Sequence, residues 1–161
     1  LITYHQYKGI LKEEGRVVLP VFGGKAATAL GVLPPHDLVL LKIEGEIKTS
    51  FLPVVQNHYQ FRAEEYALII SAFGPPRVFS IDYPAEGYGP VKNSRDGTIA
   101  TFWLYYLVGN VKSGDSGSPL INQQGEAIGV VVAAGGGGVS VIPISREFLR
   151  QHFPDFYQCE Q

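Results

Sequence analysis

A succession of short β-branched and aromatic runs, each closed by Gly, Pro, Asn or Asp, limits the fold of this chain more than anything else. Arg16–Phe22, Leu38–Ile43, Tyr66–Ala72, Arg77–Ile81, Thr98–Val108, Ala127–Ala133 and Val139–Ile144 are rich in Val, Ile, Leu, Tyr and Phe. Such side chains suit a pleated, half-buried surface, and their spacing predicts an all-β architecture. Several runs are continuously apolar rather than alternating, as expected of strands buried in a barrel or sandwich. With 19 Gly and 11 Pro and only 17% charged residues, the chain is neither a coiled coil, nor a charged helical array, nor disordered. One helix is predicted, over about residues 145–153: Ser145 as N-cap, Glu147 in the first turn, and Phe148, Leu149 and His152 as an inner stripe before Pro154.

At 161 residues the chain is one ordinary domain or two small lobes sharing a crevice. Pro75-Pro76 and the Gly- and Pro-bearing stretch Tyr83–Asp96, expected to be a loop, are breakers. They suggest halves at 1–82 and 83–161. No internal repeat is evident. The four glycines Gly135–Gly138 between two apolar strands are read as a hairpin tip, or as backbone that another chain must approach closely.

A net charge of −2 argues against an electrostatically driven nucleic-acid binder. The single cysteine, Cys159, permits no internal disulfide, so a reducing, cytoplasmic setting is expected, or secretion by an organism that does without bridges. The apolar runs fall short of the roughly 20 residues that span a bilayer, and the chain carries no basic-plus-apolar leader. No His-Glu-x-x-His, paired-cysteine, calcium-loop or phosphate-loop signature is present, so no metal or other cofactor is expected.

The stretch with the most chemistry is Lys112-Ser113-Gly114-Asp115-Ser116-Gly117-Ser118-Pro119. A serine flanked by glycines on a tight turn, with a strand after it, presents its hydroxyl at the end of a rigid element. The same turn can aim successive N–H groups into one small space, as attack on a carbonyl and capture of the oxyanion require. An ordinary Gly/Ser turn is the competing reading. A serine hydroxyl needs a general base. His152 falls in the predicted helix, and His58 in the polar stretch Gln56-Asn57-His58-Tyr59 is expected to meet water. His36 and Asp37, neighbours on an expected strand, point to opposite faces. His5 remains, where the apolar start Leu1-Ile2-Thr3 runs into a polar end. Asp37 stands at the mouth of the apolar run Leu38–Ile43, where a half-buried carboxylate could fix an imidazole tautomer. Glu13 and Glu14, beside Gly15, look solvated.

These three segments resemble the chymotrypsin-like serine proteases. Leu1–His5 is similar to their strand-Thr-x-His segment, Asp37–Ile43 to their Asp-Leu-x-Leu-Leu-Lys segment, and Gly114–Pro119 to their Gly-Asp-Ser-Gly-x-Pro nucleophile turn. The order His, Asp, Ser is that family's, with separations of 32 and 79 residues. The close of the chain, from Ile128-Gly129-Val130-Val131 to the terminal helix, is similar as well. The resemblance implies two antiparallel six-stranded β-barrels and a serine endopeptidase. Ser116 would be nucleophile, His5 base and Asp37 orienting acid, with the N–H groups of Gly114 and Ser116 as oxyanion hole. Asp115 would be a structural acid behind the turn.

By the same resemblance, Asn110 and Val111 line one wall of the pocket for the residue before the cut, and Val131, Val132, Ala133, Ala134 and Gly138 line the other. Relatives that select Gln or Glu often carry histidine where this chain has Val131, and no acid at Asn110 selects Lys or Arg, so an apolar or small side chain is expected. A Gln end, Gln161, is a contrary sign. Compactness and the lack of disulfides favour a viral 3C-like enzyme that processes its own polyprotein in the host cytoplasm. The alternatives are a cellular protease of bacterial or HtrA-like type, or an inactive protease-fold binding module. The expected partner is a polypeptide substrate. Because only four residues precede His5, an upstream segment or a second chain is also expected to complete the first barrel.

Overall fold

The structure is a computed structural model that describes residues 1–3, 7, 16–19, 25–46, 51–71, 74–81, 84–92, 99–108, 114–135 and 138–153. Its strands form two antiparallel sheets. The first, in the order β1-β4-β3-β2, comprises β1 (Ile2–Thr3), β2 (Arg16–Leu19), β3 (Lys25–Leu33) and β4 (Leu38–Ile43). β3 escapes a reading by propensity because Lys25-Ala26-Ala27-Thr28-Ala29 is poor in strand formers; its pairing with strands on both sides makes it a strand. A 3-10 turn, Pro34–His36, joins β3 to β4, and the ladder closes at Leu33↔Leu38.

The second sheet runs β6-β5-β9-β10-β11-β8-β7. It contains β5 (Glu65–Ile69), β6 (Arg77–Ile81), β7 (Pro84–Lys92), β8 (Ile99–Val108), β9 (Pro119–Ile121), β10 (Ala127–Gly135) and β11 (Gly138–Pro143). The stretch expected as a loop after Tyr83 is instead β7, paired with β8 from Pro84↔Leu107 to Lys92↔Ile99. Its prolines are tolerated because β7 ends the strand order, where a missing N–H need not interrupt the ladder. Among the described residues the chain passes from the first sheet to the second between Ile43 and Glu65, so β5 and β6 hydrogen-bond into the second sheet. The glycine run closes the β10–β11 ladder at Gly135↔Gly138, in keeping with a hairpin tip.

The all-β expectation holds, and so does the terminal helix. Helix α1 (Arg146–His152) is capped by Ser145, whose Oγ accepts from the Phe148 N–H at 3.0 Å. The continuous apolar runs are explained by burial on both faces. In β4, Leu38 and Leu40 enter one cluster and Val39 another; in β10, Val130 and Val132 enter one and Ile128 and Val131 another. The cluster that holds Leu38, Leu40, Val130, Val132, Ile142, Leu149 and Phe153 joins both sheets and the helix. At its edge, β3 comes so close to the Phe153 ring that a Cβ on Gly31 would stand 2.5 Å from it.

Candidate active site

The serine turn is shaped by two glycines with positive φ, Gly114 at 98° and Gly117 at 86°, a region that side-chain-bearing residues rarely enter. Behind it, β10 supplies a backbone frame. Gly117 N–H donates to the Val131 carbonyl at 2.7 Å, and Val131 N–H donates to the Ser118 carbonyl at 2.9 Å. Ser118 N–H donates to the Asp115 carbonyl at 2.9 Å. The Gly117 and Ser118 donors are thus already committed, one to β10 and one within the turn. The half-buried Ser116 donates its hydroxyl to the Val132 carbonyl at 2.7 Å. A carbonyl is far too weak a base to take that proton, so Val132 orients Oγ without activating it.

Asp115 is buried, 2% exposed, and forms an ion pair with Arg77 of β6. That pairing was not legible locally, since its partners are 38 residues apart. One signal could have found it. Arg77, Phe79 and Ile81 share one face of β6, and the latter two are fully buried, so an arginine on that face needs a counter-charge.

Asp37 follows the 3-10 turn in left-handed conformation, φ 51°, with its N–H donating to the Pro34 carbonyl at 3.0 Å. It is fully buried, and the next residue, Leu38, shares a core cluster with Val132, whose carbonyl holds Ser116. β1 is paired to β4 as Ile2↔Val39 and Thr3↔Leu38 and also packs against β10. The start of the chain, the Asp37 strand and the strand behind the serine therefore converge. His5 itself lies outside the described residues, as do Asn110 and Val111.

The remaining expected pocket residues belong to the β10–β11 hairpin. Val131 is fully buried in the second-sheet core and frames the turn through its backbone; Val132 reaches the serine through its carbonyl. Ala133 and Ala134 continue β10 past an irregular register, paired with Ser140 and Val139, and Gly138 opens β11. Of the other histidines, His58 is exposed, its Nε2 3.3 Å from the Tyr105 hydroxyl. His36 stacks with Phe148 and His152 of α1, ring centroids 5.4 and 5.2 Å away, rather than projecting from a strand.

No family model matches the chain, and no curated protein does. Solved structures do. The active form of the Rv3671c protease from M. tuberculosis superposes with a TM-score of 0.58 at 21% identity, over 81% of this chain and 58% of that one. The fold is chymotrypsin-like. Deg5 gives a TM-score of 0.58 at 22% identity over 96% of this chain and 75% of its own. The HtrA-type protease AlgW, solved with a decapeptide, gives 0.57 at 19% identity over 89% and 44%. This chain thus spans less than two thirds of the Rv3671c protease and less than half of AlgW. Of these neighbours AlgW is an HtrA-type protease, and they lend no support to the viral 3C-like subtype.

Proposed function

We propose that the chain is the catalytic unit of a cellular serine endopeptidase of HtrA-like type. The observation that carries this reading is the placement of Ser116: its Oγ is held by the Val132 carbonyl, and Val132 packs in the same core as Leu38, the neighbour of buried Asp37. His5 follows Thr3 by two residues, and Thr3 is registered opposite Leu38, which supports a pairing of His5 with Asp37. The HtrA and Deg neighbours support the cellular alternative over polyprotein processing.

In this mechanism His5 takes the Ser116 proton as Oγ attacks the scissile carbonyl, and Asp37 fixes the imidazole tautomer and stabilises the imidazolium. The Gly114 and Ser116 N–H groups hold the oxyanion, an interaction whose loss costs about 10²- to 10³-fold in rate. His5 returns the proton to the departing amine, and water hydrolyses the acyl-enzyme by the reverse route. Asn110, Val111, Ala133, Ala134 and Gly138 border the pocket, which takes an apolar or small side chain. The decapeptide in AlgW supports a polypeptide substrate.

The test is cleavage of a peptide library, read by mass spectrometry, with the wild type and Ser116→Ala. Turnover falls by about 10⁴-fold or more in the variant. Equal cleavage by both proteins refutes the reading, and a preference for Gln or Glu at the cut refutes the pocket assignment.

A further inference from the structure

We infer that His36 and His152 form an exchangeable site for a divalent transition-metal ion of the zinc class, joining the turn before Asp37 to helix α1. The two imidazoles lie far apart in the chain, so no spacing in the sequence announces them. His36 closes the 3-10 turn Pro34–His36, and His152 ends α1. One core seats both elements: Leu38, just after Asp37, is buried with Leu149 and Phe153 of the helix region, and Leu33 and Phe148 pack against them. The distance between the rings is therefore set by packing on both sides.

Their centroids lie 5.2 Å apart, with planes inclined at 44°. Two imidazoles on one tetrahedral ion take much the same separation: each nitrogen stands about 2.0–2.1 Å from the metal and each ring centre about 1 Å beyond, which sets the centres about 5 Å apart. Phe148 contacts both rings, edge-on to His36 at 5.4 Å and tilted against His152 at 4.6 Å, and gives the pair an apolar backing. His36 Nδ1 is buried with no hydrogen-bond partner, a state that costs free energy and that a bound ion relieves by accepting the lone pair. Burial, and then the neighbouring His152, favour neutral His36, the form that ligates. Arg150, whose charge would oppose a cation, lies on the far side of α1, where with Glu147 and Gln151 it lines a polar cleft against Gln56 and Asn57. Imidazole nitrogens suit Zn²⁺, Cu²⁺ and Ni²⁺, whereas Ca²⁺ and Mg²⁺ seek oxygen. Among the described residues no group of three His, Cys, Asp or Glu could hold an ion. Two protein ligands leave the other positions to water, so the ion exchanges rather than forming a permanent part of the fold. Once bound, it staples a turn of the first sheet to the helix after β11, and stability rises with its concentration.

Chelator-treated wild type, His36→Gln, His152→Gln and the double variant are titrated with ZnCl₂ by calorimetry, and their melting temperatures are measured with Zn²⁺, with Mg²⁺ and with excess chelator. Wild type is expected to bind one Zn²⁺ per chain and to melt several degrees higher with it; Mg²⁺ gives no gain, and chelator reverses the gain from Zn²⁺. Each single variant binds about tenfold or more weakly, and the double variant loses the gain altogether. Proton–nitrogen spectra of the imidazole rings in wild type, where Zn²⁺ must shift the His36 and His152 signals, decide the matter should a variant fail to fold. Absence of binding, binding undiminished in the double variant, or a shift confined to His5 and His58 overturns the inference. Neither calorimetry nor melting involves cleavage, so failure of the protease reading would leave both results unchanged.

Discussion

Asp37 occupies a left-handed conformation that Asn tolerates at least as well as Asp. Asp37→Asn therefore removes the charge with little backbone cost, and kcat for peptide cleavage is expected to fall about 10⁴-fold while the circular dichroism spectrum is unchanged. Retention of full activity would remove Asp37 from the mechanism. Its neighbour His36 carries a different signal. Burial, and then the nearby His152, hold its pKa below the ordinary histidine value. The folded state thus binds fewer protons than the unfolded chain, and stability is lost as pH falls below about 6.5. The melting temperature should drop between pH 7.5 and pH 5, and less steeply in His36→Gln; parallel curves would refute this. The settings of Ser116 and Asp37 were legible in the sequence because they are local, between glycines in one case and before an apolar strand in the other. Arg77 offered only the hint of an arginine on the face of buried Phe79 and Ile81, since its partner is a carboxylate brought to it by three paired strands.

Among the elements, those whose residues favour strand locally were readable: β4 and β6 span the same residues in sequence and structure. β3 and β7 were not, because Ala-rich and Gly/Pro-bearing segments become strands only when neighbours offer a ladder. Helix α1 allows two kinds of contribution to be compared. Removing its cap in Ser145→Ala should cost about 1 kcal/mol. Leu149→Ala, which opens a cavity where the helix meets both sheets, should cost about 2–5 kcal/mol. Urea titration of the two variants checks the order, and an equal loss would show that the helix is not seated in that core. Gly129 is a sterner case. A Cβ there would stand 2.4 Å from Val141 Cγ1 and 3.2 Å from the Ile142 carbonyl, so Gly129→Ala should destabilise by about 1–3 kcal/mol through overpacking, read by the same titration.

At the scale of the molecule, the two sheets have cores of their own and a third in common. Segment 53–56 binds the second sheet to the helix: Ala127 N–H donates to the Pro53 carbonyl at 2.7 Å, and Arg146 N–H donates to the Val55 carbonyl at 2.9 Å. One cooperative transition is expected, with the fluorescence of the single tryptophan, Trp103 in β8, and far-ultraviolet dichroism changing together. Separate midpoints would mean that the sheets unfold independently. Fold class was legible at this scale, but the sheet that β5 and β6 join was not, because a hairpin with prolines in its connection looks the same whichever sheet it joins.

The acid and the hydroxyl ride on different sheets, and the core that the two sheets share is an apolar seam. Such seams tolerate sliding better than ladders do. Warming should therefore blunt the enzyme by a slip of one half upon the other while every strand remains zipped, so that heat-killed activity precedes, by several degrees, any loss of β signal, and returns on cooling.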